Sequence, residues 1–354
     1  MKILHICAGW QKWNGAANIA RMIMGEQERE GHSVSFRTWV SIKELRAADE
    51  VWIHCSWMPC LWWAALWGKN VHWVPECSYD PIRRAYHGWK KTLVGPIERF
   101  CLRRAKTIVA TCEAEADWIR SYLGNRCPKI EVTDIKRFFK LDAAQAGKQV
   151  RPIFPPATSS YHSDSRLPRA SRSNSNSSRS LHLLYLGRRH PLKGLEYLEA
   201  AIAQLSNLGR SDQTLNSQIE LRIVSSAFGE ELEKIWDWCD VLVLPTLSDN
   251  FGLVIAEALE RGKRVITTDG APVWDPGGSG QNLGDRGQKL GASDEVGEGE
   301  DSSTSTLNFD SNILIGYDGR LLYLNGYRDG TMGKRVELLE KAIALFSGQV
   351  LPMM

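Results

Sequence analysis

Asp249 and Glu257 are separated by seven residues in the run DVLVLPTLSDNFGLVIAEALERGKRVITTDGAP, residues 240 to 272. Glu257 is the one ionisable side chain between Leu253 and Leu259. A carboxylate set into an apolar helix face costs free energy unless it is hydrogen-bonded or holds a ligand. Val241 to Leu244 form the short apolar run of a covered parallel strand, ended by Pro245. Ser248, Asp249 and Asn250 are the expected cap and Phe251 the expected start of a helix. Gly252 lets the backbone be approached closely. A purely structural alternative has Asp249 as a cap and Glu257 paired with Arg261 one turn on.

A second reactive run is LGRRHPLKG, residues 186 to 194, directly after the apolar LHLLYL. Following Gly187, Arg188 and Lys193 lie in a loop ahead of a helix, where two cations and free backbone N–H groups can converge on a diphosphate. Taken alone, a basic loop is as readily a solvated one. With the acids about one βα crossover further on, the chain offers cations for a diphosphate, a mid-helix acid for ribose hydroxyls and a loop acid for sugar hydroxyls. A nucleotide-sugar has these three parts.

The elements that must position these residues alternate strand and helix from the start. Strands are expected at 3–7, 34–40, 51–54, 71–74, 107–111 and 129–134, with helices at 17–30, 82–105 and 113–123. A second series begins at Leu181, with helices at 195–205, 229–237 and 331–346 and strands that include 264–268. Alternation of this kind implies an α/β chain with two Rossmann-like, doubly wound parallel sheets. The expected division is an N-terminal domain over 1–141, a linker or insertion over 142–180, and a C-terminal domain over 181–346. Residues 151–180 hold ten serines and four prolines, a composition that cannot bury a core. A polar insertion is expected at about 275–311.

The runs GRRHPLKG and DVLVLPTLSDNFGLVIAEALERGKRVITTD resemble the retaining family 4 (group 1) glycosyltransferases of GT-B fold, which include bacterial lipopolysaccharide and other cell-envelope transferases. Arg188, Lys193 and Gly194 match the family's Gly-Arg and its following Lys-Gly. Glu257 matches the second of a pair of acids and, by that resemblance, holds the ribose. Asp249 stands where the family usually has Glu, in the position that contacts the donor sugar. The resemblance implies that Arg188 and Lys193 neutralise the departing diphosphate. It also implies donor contacts at Gly187, Asn250, Phe251, Gly252 and Leu253, and a donor site mainly on the C-terminal domain. The activity implied is transfer of a sugar from a nucleotide-diphosphate-sugar to a glycan or lipid-linked acceptor. A non-catalytic nucleotide-sugar-binding protein of the same fold is the alternative.

In the N-terminal half, Gly9 and Gly15 bracket the first loop, similar to the family's glycine-bearing loop facing the donor phosphates; a simple tight turn is the alternative. His54 ends an early strand and is either an acceptor-side contact or a core histidine. Glu76 follows another apolar strand and is a candidate acceptor contact or base, expected to face a cleft. Between Ile82 and Lys106 there are eight Lys and Arg against the single acid Glu98. This face is either merely solvated or a peripheral contact, through residues 83–106, with an anionic membrane. Arg83, His87, Lys90 and Lys91 are expected on one helical face, with Trp89 and Leu93 on the opposite side.

Several classes are disfavoured. The net charge of +3 is too small to argue for nucleic acid, and no base-stacking motif accompanies the basic run. Neither a Gly-x-Gly-x-x-Gly fingerprint, nor zinc spacing, nor an Asp-x-Asp pair occurs, so no metal site or cofactor is expected. Eight cysteines without a Cys-x-x-Cys pair read as reduced thiols, and no stretch reads as a membrane span. A cytoplasmic protein, either free or peripheral at the inner face of the membrane, is expected.

Overall fold

The computed structural model describes residues 1–7, 15–55, 62–141, 180–211, 219–249, 251–276, 288–289, 312–317 and 319–347. The chain divides into two compact units. The first comprises residues 1–140, 246–257 and 269–281; the second comprises 141–245, 258–268 and 282–354. The expected boundary near 141 is therefore crossed twice, by segments on either side of one strand. The expected linker, apart from Ser180, lies outside the described residues, as does most of the expected insertion at 275–311.

The first unit holds a six-stranded parallel sheet in the order β2-β1-β3-β4-β5-β6. Its strands are β1 (Lys2–Cys7), β2 (Ser33–Arg37), β3 (Glu50–His54), β4 (Val71–Val74), β5 (Thr107–Ala110) and β6 (Lys129–Val132). Burial follows composition. The interior strand β5, TIVA, is buried throughout. The edge strands β2 (SVSFR) and β6 (KIEV) alternate between more and less covered positions, as a strand with one solvated face should. Ile6, Val51, Ile53, Val71, Trp73 and Ile108 lie in the core. The order reverses between β1 and β3, where such sheets open a crevice at the strands' carboxyl ends.

The second unit's sheet has the order β11-β12-β13-β10-β9-β7-β8. Its strands are β7 (Leu181–Leu186), β8 (Ile219–Val224), β9 (Val241–Leu244), β10 (Arg264–Thr268), β11 (Gln288–Lys289), β12 (Ile313–Gly316) and β13 (Leu321–Leu324). Pairing is parallel from β8 to β13, but β12 and β11 add an antiparallel edge. The sheet is thus mixed at that edge, because β12 and β13 are joined by a short turn. The order reverses between β7 and β9, so both reactive runs leave strands that flank the switch point.

Three local expectations are corrected. The helix expected over 82–105 is two helices, Pro81–His87 and Trp89–Leu102, broken at Gly88, whose φ of 56° lies in the left-handed region. Residues 83 and 87 consequently do not share one continuous helical face with 90 and 91. The strand expected to run to Val40 stops at Arg37. Ser41 and Glu44 form a capping box that starts a short helix, Ile42–Ala47. The helix expected from Phe251 begins at Leu253, since Gly252 at φ 60° cannot continue a right-handed turn.

Candidate functional site

In the second unit, Arg188 and Lys193 leave the carboxyl end of β7. The Tyr185 hydroxyl donates to the Arg188 carbonyl (2.9 Å), and His190 Nδ1 accepts from the Leu192 N–H (3.2 Å). Pro191–Lys193 form a single 3-10 turn that ends at Gly194 in the left-handed conformation, φ 64°. A Cβ at Gly194 would lie 2.0 Å from the Pro245 carbonyl oxygen, so only glycine lets this turn pack against the residue that ends β9. Arg188 is exposed and Lys193 half-buried. The loop holds two cations on a braced turn, the arrangement an anionic leaving group requires.

The segment after Pro245 belongs to the first unit. Ser248 is fully buried. The Arg83 guanidinium donates to its hydroxyl (3.3 Å) and its carbonyl (3.1 Å). Burial opposes the charge on Arg83, but Cys77, Asp249 and Asp80 nearby outweigh it and raise its pKa. The Asp249 N–H donates to the Gly270 carbonyl (2.7 Å). A Cβ at Gly270 would lie 2.0 Å from the Thr246 carbonyl oxygen. Phe251 is buried, stacked on Phe139 (5.6 Å), and its carbonyl accepts from the Trp274 indole. Its side chain therefore anchors the loop. Leu253 and Glu257 are half-buried on the helix Leu253–Glu260. Arg261 bonds Glu233 at 2.8 Å.

The first unit also holds a buried polar chain that the spacing of residues did not disclose. His5 Nε2 lies 2.7 Å from Gln27 Oε1, and His5 Nδ1 lies 2.9 Å from His54 Nε2. The Gln27 oxygen only accepts, so His5 carries its proton on Nε2 and its Nδ1 accepts from the His54 Nε2–H. That leaves His54 Nδ1 bare, facing Glu76 Oε1 at 3.7 Å. This gap exceeds a hydrogen bond, and neither atom has a hydrogen-bond partner among the described residues. His54 is fully buried and Glu76 nearly so. Glu76 thus lies enclosed beside His54, on the turn after β4. Glu76 and Cys77 both have left-handed backbones, φ 54° and 61°. Glu115 clamps that strained turn, accepting from the Cys77 N–H (2.5 Å), the Thr111 N–H (2.8 Å) and the Thr111 hydroxyl (2.7 Å).

Desolvation sets the protonation of this chain. Burial lowers His5, helped by neighbouring His54, and lowers His54, each to about 3. It raises Glu76 to about 8, opposed by Arg83. Glu76 therefore carries a proton at neutral pH. Between 4.5 and about 8 the native state keeps that proton and the unfolded state has released it, so stability falls as pH rises through this window. Between about 3 and 6.5 the unfolded state protonates both imidazoles and the native state does not, so stability is lost as pH falls below 6.5. From these three groups, stability should peak near pH 6.5. Melting temperature against pH should show Glu76→Gln flattening the alkaline limb and steepening the acid limb between 4.5 and 6.5, where the Glu76 proton had offset one of the two imidazoles. Glu115, also raised by burial, leaves some alkaline slope in the variant. An unchanged alkaline limb would mean that Glu76 is ionised in the fold.

By compact unit, His54, Glu76, Asp249, Phe251, Gly252, Leu253 and Glu257 belong to the first, and Gly187, Arg188 and Lys193 to the second. Gly15 begins the helix Gly15–Arg29 with open space at its Cα. Gly9 and Asn250 lie outside the described residues. The sequence placed Arg83 only on a basic helical face and singled out neither His5 nor Gln27. A histidine amid the apolar KILHIC was a usable signal for His5; nothing local announces that Arg83 reaches residue 248.

Residues 7–134 match the family model described as a glycosyl transferase 4-like domain, and residues 180–282 match that of glycosyl transferases group 1. No curated protein matches the sequence significantly. Among solved structures, sucrose-phosphate synthase from Thermosynechococcus elongatus is 13% identical, with a TM-score of 0.50 over 78% of this chain and 83% of that one. WaaG, a glycosyltransferase involved in lipopolysaccharide biosynthesis, is 10% identical, with a TM-score of 0.49 over 97% of this chain and 90% of that one. Anabaena HepE, solved with UDP-glucose, is 12% identical, with a TM-score of 0.48 over 78% of this chain and 82% of that one. At 13% identity the likeness to sucrose-phosphate synthase speaks for the fold alone. The two family models between them cover well over half of the sequence, one for each doubly wound sheet, and the chain belongs to the group 1 glycosyltransferases of GT-B fold.

Proposed function

We propose that the chain is a retaining hexosyltransferase that moves a sugar from a nucleotide-diphosphate-sugar to a glycan or lipid-linked acceptor, in assembly of a cell-envelope polysaccharide or lipopolysaccharide on the cytoplasmic side. The observation that carries this reading is the braced cationic turn at Arg188 and Lys193, held by Gly194 against Pro245, in a chain of glycosyltransferase family. Arg188 and Lys193 neutralise charge as it grows on the departing diphosphate, so the transfer does not require a metal for that role. Glu257 binds the ribose and Asp249 the donor sugar. The bond between the sugar's anomeric carbon and the diphosphate oxygen breaks while a bond to the acceptor oxygen forms on the same face. The acceptor's proton passes to the leaving phosphate oxygen.

A thermal-shift panel of UDP-, GDP- and ADP-sugars tests the donor assignment, since a ligand bound only by the native state raises the melting temperature. One nucleotide series should shift the wild type, and Glu257→Ala should lose most of that shift. No shift with any of them in a folded protein would sink the reading. Binding without release of sugar to acceptor or water would favour a nucleotide-sugar-binding protein instead.

A further inference from the structure

The helix Trp89–Leu102 presents to solvent what a helix of a soluble domain normally buries. Trp89 is 71% exposed, Leu93 70%, Ile97 61% and Phe100 51%. At 3.6 residues per turn these four positions fall within an arc of about 80°. They form one apolar stripe along the helix. Beside it, Pro96, Arg99, Phe100, Arg103, Arg104 and Arg126 line a groove of about 570 Å³. Phe100 belongs to both features. Four guanidiniums and no carboxylate line that groove, and none of the four is in an ion pair among the described residues. Three are held in place: Arg103 donates to the Leu123 carbonyl (2.6 Å), Arg99 stacks on Tyr122 (5.2 Å) and Arg104 on Phe100 (4.5 Å). The helix's one acid, Glu98, is fully buried and accepts from the Tyr79 and Tyr122 hydroxyls (3.1 and 2.9 Å). The outward surface is therefore apolar and cationic only.

We propose that this face docks the protein on an anionic lipid bilayer, with Trp89, Leu93, Ile97 and Phe100 entering the interface and the arginine groove receiving a lipid phosphate headgroup. Charge complementarity selects the occupant. A second copy would set four arginines against four, which repels. Aliphatic Leu93 and Ile97 at the centre of the stripe suit acyl chains and offer no stacking platform for nucleic-acid bases. An apolar stripe beside paired cations supplies the two signals that stable peripheral attachment needs. The surface lies wholly within the first unit, and its docking does not depend on the transferase reading.

Vesicle flotation of the full-length protein tests the proposal, comparing pure phosphatidylcholine with phosphatidylcholine containing about one third phosphatidylglycerol. The wild type should float with the anionic vesicles, weakly with the neutral ones, and less as salt rises. Leu93→Ser/Ile97→Ser should lower the bound fraction at least about tenfold. Arg99→Ala/Arg104→Ala should do the same on anionic vesicles and change little on neutral ones, each arginine carrying roughly fivefold. Melting temperatures should stay close to the wild type, since Leu93, Ile97 and Arg104 are exposed and Arg99 is half-buried against Tyr122; Ile97→Ser or Arg104→Ala alone carries the same sign if a double variant is unstable. Inorganic phosphate at millimolar concentration should not release the protein; release would mean a free-phosphate site and overturn docking. Absence of flotation, flotation indifferent to both variants, a dimer lost in Leu93→Ser/Ile97→Ser without flotation, or RNA retention by the arginines without flotation would each overturn it. A protein that binds donor nucleotide yet fails to float loses this inference alone.

Discussion

Arg188→Ala and Lys193→Ala should each lose about 2–4 kcal/mol of transition-state stabilisation, a fall in turnover of about thirty- to a thousandfold. The charge they meet grows only as the diphosphate departs, so the loss should appear in kcat, with a smaller change in the affinity for the intact donor. The Tyr185 hydroxyl fixes the Arg188 backbone, so Arg188→Lys should recover only part of the rate, an ammonium being a point charge without the guanidinium's fork. Initial rates of donor hydrolysis and transfer, read beside equilibrium donor binding, check this. If both alanine variants turned over like the wild type, the cationic turn would not be where the leaving group sits. If they lost binding and rate in equal measure, the turn would serve recognition and another group would stabilise the departing charge.

Gly194→Ala should be the most damaging single change to the fold, costing about 3 kcal/mol or more, beyond the usual range for point variants. A Cβ there would sit 2.0 Å from the Pro245 carbonyl oxygen and 3.1 Å from its carbon, both rigid backbone atoms. The left-handed φ of 64° adds about 1–2 kcal/mol of its own. Urea or thermal unfolding measures the effect. Gly25→Ala serves as its control: Gly25 lies within the helix Gly15–Arg29 with nothing within 4 Å of its would-be Cβ, so that change should stabilise by about 0.5–1 kcal/mol. Wild-type stability in Gly194→Ala would mean that the 191–194 turn does not pack on β9's end. The two predictions are linked, since the same contact that makes Gly194 obligatory holds Lys193 one residue before it.

Much of the architecture was readable from periodicity. The strands Val71–Val74 and Arg264–Thr268 and the helix Glu113–Leu123 lie where hydrophobic runs and turn residues place them, because a covered parallel strand tolerates only apolar side chains. The elements misjudged were those governed by a single residue. Gly88 broke a helix that looked continuous, Gly252 delayed another by two residues, and the Ser41 and Glu44 capping box began one in a stretch read as strand end. Each is a local conformational choice that averaging over a hydrophobic window conceals.

The candidate site divides along the same line. Arg188, Lys193, Asp249 and Glu257 stand in runs whose neighbours are close in sequence, so residue type and spacing alone point to cations for a diphosphate and acids for hydroxyls. The partners separated by long stretches of chain were decided by packing. Arg83 meets Ser248 across 165 positions, and His5, Gln27 and His54 meet across β1, its following helix and β3. Whether Glu98 is exposed or buried likewise determines if the basic helix shows a mixed or a purely cationic face. Spacing along a helix or strand is fixed by local backbone geometry, which a sequence carries in its own periodicity. Which distant side chains share a desolvated pocket depends on strand order and helix docking, and the low dielectric created there sets the protonation of His54 and Glu76.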